Sequence, residues 1–213
     1  WDNGSDLRSE LNEAVQGTLS AGQTDTYWSL CYAKIRKCNV VIEKAEEYTG
    51  TESIAASVAT AKFFRAYQYF WLLERFGGVP LVTRTLSTGS EELYAARNSR
   101  YEVVGQILSD LTDAINGLPD ESSYDGKVTK QGAQAFKARV LLFEATWEKY
   151  VKETTDGNGT SEGAGSAKPS GYPSVESMLT EAASLADAVI SSKKYSLWSA
   201  EGTVYENIAF GLK

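Results

Sequence analysis

Ala61-Lys-Phe-Phe-Arg-Ala-Tyr-Gln-Tyr-Phe-Trp-Leu-Leu-Glu-Arg-Phe-Gly-Gly-Val-Pro80 is the stretch that decides the fold. Phe63, Ala66, Phe70 and Leu73 recur at spacings of three and four, which lines them along one stripe of a helix. Ala55 and Ala59 extend the stripe backward, and Thr51, after the helix-breaking Gly50, is a candidate N-cap. At the far end Gly77 or Gly78 can take the left-handed conformation that stops a helix, and Pro80 prevents its resumption. The glycine pair follows a helix instead of opening one, so it is not a phosphate cradle. Arg65, inside this apolar-rich helix, reads either as a ligand contact or as a bridge between helices, and the bridge is the favoured reading.

The same periodicity recurs on both sides. Trp28, Cys31, Ile35, Cys38, Ile42 and Ala45 predict a helix from about Asp25 to Tyr48. Tyr101, Val104, Leu108, Leu111, Ile115 and Leu118 form a third stripe behind Ser99 and Glu102, which have capping-box spacing, and Pro119 ends it. Ala133, Phe136, Val140, Phe143, Trp147 and Tyr150 form a fourth, with Thr129 as its N-cap. Leu179, Ala182, Ala186 and Val189 form a fifth, after Pro173-Ser174 and ending near Ser191. Small residues alternate with Phe, Trp and Leu in these stripes, which lets helices approach closely in antiparallel pairs. The expected fold is therefore all-α, with tetratricopeptide-like helix pairs and long loops, although the 34-residue consensus signature of that repeat is absent.

Two connections are longer than turns. Leu81 to Asn98 reads as an extended loop containing Glu91, Glu92, Leu93 and Tyr94. Thr154 to Pro173 is Gly-rich with almost no large apolar side chain, so it reads as a mobile surface insertion. The expected organisation is an N-terminal loop region over 1–24, a helical repeat domain over 25–198 carrying that insertion, and the start of a further region over 199–213.

Composition narrows the function. Hydrophobic residues make up 42% of the chain, too much for a disordered polypeptide. The formal net charge of −7 gives no basic field for nucleic acid or an anionic membrane surface. Histidine is absent, which removes the usual general base, every Ser-His or Cys-His pair and the commonest transition-metal ligand. Cys31 and Cys38 lie seven residues apart in a helix, so their Cα atoms stand roughly 10 Å apart and cannot bridge. They read as small apolar members of a buried stripe. No apolar run is long enough to span a bilayer. The chain opens at Trp1 with neither an initiator Met nor a signal segment, so a processed or truncated piece is expected.

Ala61 to Pro80 resembles the SusD/RagB family pattern (A/K)-x-F-x-R-A-x-x-Y-F-x-L followed by x-x-F-G-x-V-P-L. Further matches follow in order: Ala96-Arg-Asn-Ser99, then Glu102-Val-Val, Ile107, Asp110-Leu111, Ala114 and Leu118-Pro119. Gly126-Lys-Val-Thr-Lys130 is similar to the family's G-R-x-T-K and leads into Ala135 and Ala138-Arg-Val-Leu-Leu142, and Tyr195-Ser-Leu197 resembles its Y-x-L. The resemblance covers roughly residues 27 to 198. It implies a SusD-like α/α superhelix in an outer-membrane lipoprotein of a Bacteroidota cell, lipid-anchored on the extracellular face. Such a protein would cap a TonB-dependent, SusC-like transporter and deliver oligosaccharides, alternatively peptides, without catalysis. A complete member is longer, with a lipobox cysteine and a loop-rich second region, so this chain is expected to keep the scaffold and lack much of the binding surface. The rival expectation is a helical repeat scaffold that holds a protein partner and binds no ligand of its own.

Candidate sites are few. Sugars are gripped by aromatic faces flanked by planar amides and carboxylates. Trp1, Asp2, Asn3 and Asp6, ahead of the first helix where the family contributes some ligand contacts, form such a set, whereas Trp28, Trp71 and Trp147 read as core or interface. Glu46-Glu47 and Glu91-Glu92 read as solvated acids, because neighbours on a helix diverge by about 100 degrees and cannot form the paired carboxylates of a glycosidase. Asp156-Gly-Asn158-Gly-Thr160 has the first oxygens of a calcium loop, but Ser161 and Ala167 stand where the Gly and the bidentate Glu are required. Gly163-Ala-Gly-Ser-Ala-Lys168 lacks Walker spacing. No catalytic residue, metal site or cofactor is expected.

Overall fold

The structure is a computed structural model and describes residues 24–121, 126–151 and 168–195. Among these residues there are five α-helices and no strand. They are α1 (Thr26–Glu46), α2 (Ala55–Phe76), α3 (Arg100–Gly117), α4 (Lys130–Val151) and α5 (Val175–Ser191), with one 3-10 turn, Glu91–Tyr94, between α2 and α3. The expected all-α class is observed.

Each helix packs on its neighbour in the chain. Cross-links show that the pairs run antiparallel. Asp25 and Asn39 of the α1 region bond Arg75 and Arg65 of α2, Lys62 and Arg65 of α2 pair with Asp113 and Asp110 of α3, and Arg100 and Thr112 of α3 bond Glu144 and Lys137 of α4. In every pair the number rises on one helix as it falls on the other.

Capping explains most of the boundaries. Asp25 accepts the Tyr27 and Trp28 N–H groups at 2.7 and 3.2 Å and also pairs with Arg75. Arg75 first, then these two backbone donors, outweigh desolvation and hold the Asp25 carboxyl below its ordinary range. Ser99 and Glu102 form the expected capping box on α3. Thr129 receives the Gly132 N–H at 3.3 Å. Thr51 does not cap α2. The helix begins four residues later, with Ile54 as a cap that offers only its backbone carbonyl to Ser57 and Val58.

Gly77 and Gly78 are both required, for different reasons. Gly77 has φ of +67° and ends α2. A Cβ on Gly78 would stand 2.3 Å from the Asn98 carbonyl oxygen, because the start and end of the α2–α3 connection meet there.

The core is centred on α2, whose Phe63, Ala66, Tyr69, Phe70, Leu72 and Leu73 are buried together with Val103, Val104, Ile107 and Leu111 of α3. Phe70 lies edge-on to Phe136 and Phe143 of α4, with centroids 5.5 and 5.3 Å away. On α5 the buried residues are Met178 and Ala182, whereas Ala186 of the expected stripe is exposed. On α4 Tyr150, also on an expected stripe, is 75% exposed. Cys31 and Cys38 are buried free thiols.

Two buried ion pairs cross the helix layers. Arg65 of α2 grips Asp110 of α3 with two parallel bonds of 2.8 and 2.7 Å, the bridge expected of it. Arg100 of α3 pairs with Glu144 of α4 beneath the Trp147 ring, 4.3 Å from its centroid. Of the segment expected to be an insertion, residues 154–167 lie outside the described residues. At its end Tyr172 donates to Glu144 at 2.9 Å and packs edge-on against Tyr101.

Candidate functional site

Between Gly77 and Ser99 the chain leaves α2, runs in extended form over α1 and returns to start α3. Its peptide groups have no strand to pair with, yet backbone polar groups held against a protein surface need partners. Side chains of α1 and α2, with Asn98 just ahead of α3, supply them along residues 80–86. Tyr32 donates to the Pro80 carbonyl at 2.7 Å, and Asn98 accepts the Leu81 N–H at 2.9 Å. Tyr69 accepts the Val82 N–H at 2.7 Å and donates to the Val82 carbonyl at 3.0 Å. Asn39 donates to the carbonyls of Val82 and Arg84 at 2.9 and 3.0 Å, and Arg65 donates to that of Thr83 at 3.2 Å. Glu43 accepts the Thr85 N–H at 2.6 Å, and Arg36 donates to the Leu86 carbonyl at 2.9 Å.

The segment so fixed forms one wall of a groove of about 340 Å³ whose other wall is α1. Trp28 and Tyr32 line it, with ring centroids 5.1 Å apart and planes at 47°. Trp28 is steadied edge-on by Phe76 at 5.2 Å, and Arg97 lies 5.4 Å from its ring. Arg36, Arg84 and Glu92 provide planar polar groups, and Leu93 of the 3-10 turn is an exposed apolar neighbour. Arg84 Nε bonds Glu92 at 2.7 Å, so this cation and anion are already paired.

Local donors set the charge state of the carboxylates at and near the groove. The Glu92 carboxyl lies below its ordinary range, held there by its own backbone N–H and then by Arg84. Glu43 is likewise lowered, through the side chain and backbone N–H of Thr85. Both stay ionised near neutrality, so neither is poised as a general acid. Tyr32 is pushed upward, chiefly by burial, and remains a neutral phenol. The chemistry available is an aromatic wall for an apolar face and planar hydrogen-bonding groups for hydroxyls, an arrangement suited to sugar rings.

A larger groove of about 660 Å³ lies between α1, α2 and residues 118–121 and 126–128. Its lining is mostly aliphatic around Phe64, without a Trp or Tyr beside planar polar groups, so size does not make it the better site. No group of three or more His, Cys, Asp or Glu placed to hold a metal occurs among the described residues. No helix among them is long and apolar enough to cross a membrane.

The sugar-contact set expected from sequence, Trp1, Asp2, Asn3 and Asp6, lies outside the described residues, as does the calcium-like loop at 156–160. Sequence reasoning read Trp28 as core or interface; it is half-buried, packs against the core with one side and lines the groove with the other. The available signal was a tryptophan on the first turn of a helix, ahead of a long connection that returns over that helix. Glu92 read as a solvated acid, and it is in fact engaged by Arg84.

Comparison with known proteins matches this architecture. A SusD-like family model, described as starch-binding and associating with the outer membrane, matches residues 3–142. SusD-like protein P2 of Formosa agariphila is 30% identical over 147 residues, covering 68% of this chain and 29% of that protein. A SusD superfamily protein of Parabacteroides distasonis superimposes with a TM-score of 0.67 at 26% identity, over 87% of this chain and 36% of the other. A laminarin-binding SusD-like protein aligns with a TM-score of 0.55 at 28% identity, over 64% of this chain and 30% of the other. The chain thus spans about a third or less of the length of these proteins. With more than half of its residues inside the family match and its five helices stacked as in the solved relatives, this chain belongs to the SusD-like family.

Proposed function

We propose that the chain is the helical part of a cell-surface glycan-binding lipoprotein, which captures oligosaccharide for a TonB-dependent, SusC-like transporter and performs no catalysis. The observation that carries this reading is the Trp28–Tyr32 wall of α1, with Arg36 beside it, facing Arg84 and Glu92 across a preformed groove. Family membership, with its outer-membrane description, and the laminarin-binding relative support it. Trp1, Asp2, Asn3 and Asp6, which precede α1 in the sequence, are proposed as further contacts. A lipid anchor and an extracellular position are part of the same reading.

Titration with laminarin, read by tryptophan quenching and calorimetry, tests the proposal. Trp28→Ala should weaken binding about tenfold, the loss of one stacking face worth about 1.4 kcal/mol. Its melting temperature should stay within a few degrees of the parent. Absence of binding to any glucan, or unchanged affinity in the variant, would refute the site.

A helical scaffold that contacts a protein partner is the second reading. Tyr27, Leu30, Phe64, Trp71 and Leu142 favour it, since they expose apolar surface outside the groove. Co-purification with a membrane barrel and no response to any glycan would select it.

A further inference from the structure

We propose that Asn39 of α1, which touches no solvent, is the positioning residue that sets the shape of the groove wall and thereby the affinity for ligand. The inference rests on the binding reading above.

A completely buried amide inside an apolar helix stripe is costly unless each of its groups is used, and here they are. The two Nδ2 hydrogens go to the carbonyls of Val82 and Arg84, at 2.9 and 3.0 Å. The Oδ1 atom accepts from Arg65 Nη1 at 2.9 Å. Arg65 is itself held by Asp110 through two bonds and sends a further bond to the Thr83 carbonyl at 3.2 Å.

A relay of hydrogen bonds, charge-assisted where Arg65 donates, therefore runs from Asp110 on α3 through Arg65 on α2 and Asn39 on α1 to three consecutive carbonyls of the wall. Direction matters along this relay. Arg65 can only donate, so the oxygen of the Asn39 amide must face it, and the amide nitrogen must then face the wall. Reversing the amide would set its oxygen against two carbonyl oxygens and its nitrogen against a guanidinium. Asn39 is thereby locked in one orientation, and Val82 and Arg84, whose carbonyls it holds, line the groove at the middle of the wall, between Pro80 and Leu86. Arg84 also carries the Glu92 contact, so its backbone position fixes the polar end of the site.

Neither Asn39 nor Arg65 lines the groove. Their effect passes through the wall, as expected of groups that preorganise a site rather than touch its ligand. Loss of that preorganisation appears as weaker binding, because ordering the wall must then be done at the moment of association.

Two variants test the proposal. Asn39→Asp keeps the shape and the bond to Arg65 but turns an acceptor toward the two carbonyls. Asn39→Ser is smaller, retains one hydroxyl donor and leaves room for water to serve the other carbonyl. Hydrogen exchange of the Val82 and Thr85 amides reports on the wall, and that of Leu72 and Leu111 on the helical core. In Asn39→Asp the wall amides should exchange about tenfold faster while the core amides keep their rates, and laminarin should bind about tenfold more weakly. Asn39→Ser should fall between this variant and the parent.

Unchanged wall exchange, or equal acceleration of wall and core, would overturn the assignment, because Asn39 would then be an ordinary core residue. Failure of both variants to fold would overturn it on the same ground. Unchanged laminarin affinity beside a loosened wall would refute the link from wall to ligand. If the parent chain binds no glucan, the capture reading falls on that result, and the exchange pattern by itself decides whether Asn39 sets the wall.

Discussion

Arg100 and Glu144 illustrate what single residues decide in this molecule. Their side chains are 2% and 0% exposed, so each charge relies on the other and on Tyr172 and Trp147 for what water no longer supplies. Glu144→Ala would leave the guanidinium buried without its anion, and should cost about 3 to 5 kcal/mol in urea unfolding. A cost below about 1 kcal/mol would show that Arg100 escapes to solvent or finds another acid. Little at this scale was legible beforehand. Arg65 could be read as a bridge because a cation in an apolar stripe must find an anion, but Asp110 lies 45 residues away and nothing in the spacing names it. Asn39 gave no signal, since an amide beside a stripe is as common on a solvated helix flank as in an interior.

At the scale of elements, helix existence followed from periodicity, whereas the width and rotation of each buried face did not. Phe70 is 2% exposed and touches two rings of α4, so Phe70→Ala should destabilise by about 3 to 5 kcal/mol by chemical denaturation. A cost under about 0.5 kcal/mol would mean that the stripe is not core. On α5 the sequence carries two stripes of similar period. Leu179, Ala182, Ala186 and Val189 form one, and Met178, Ala182, Leu185 and Val189 the other. The structure buries Met178 and Ala182 against Leu141 and Ala145 of α4 and packs both Leu179 and Leu185 beside them, so the buried face lies between the two stripes and leaves Ala186 outside. Alanines on several faces leave a helix free to rotate, and only its neighbour selects one rotation. Thr51 failed as a cap for a related reason. A capping hydroxyl acts only when the helix starts at the next residue, and α2 starts at Ala55.

For the whole molecule, the formal charge of −7 is not concentrated in the groove, whose lining carries Arg36, Arg84 and Glu92: Arg84 is paired with Glu92, and Arg36, bonded to a carbonyl, leaves one net positive charge. Recognition of a neutral glucan there should be nearly independent of ionic strength. Calorimetric titration from about 0.05 to about 0.5 M salt should change the dissociation constant by less than about twofold, because a neutral ligand brings no charge whose attraction could be screened. A steep loss with salt would point to an anionic ligand held by Arg36 and Arg84.

The order of residues by itself determined that this chain makes successive antiparallel amphipathic helices broken at Gly50, at Gly77-Gly78 and at Pro119, and that its motifs are those of the SusD-like family. Both depend on neighbours three to four positions apart, which chain order specifies completely. Only the tertiary structure decided that Trp28 faces a groove and that residues 80–86 become its wall. It also decided that Asn39, Arg65 and Asp110, from three different helices, act as one support. Those relations join residues up to 50 positions apart, as Arg36 is from Leu86, and their geometry comes into being only when helices pack and a stranded backbone must find its hydrogen bonds.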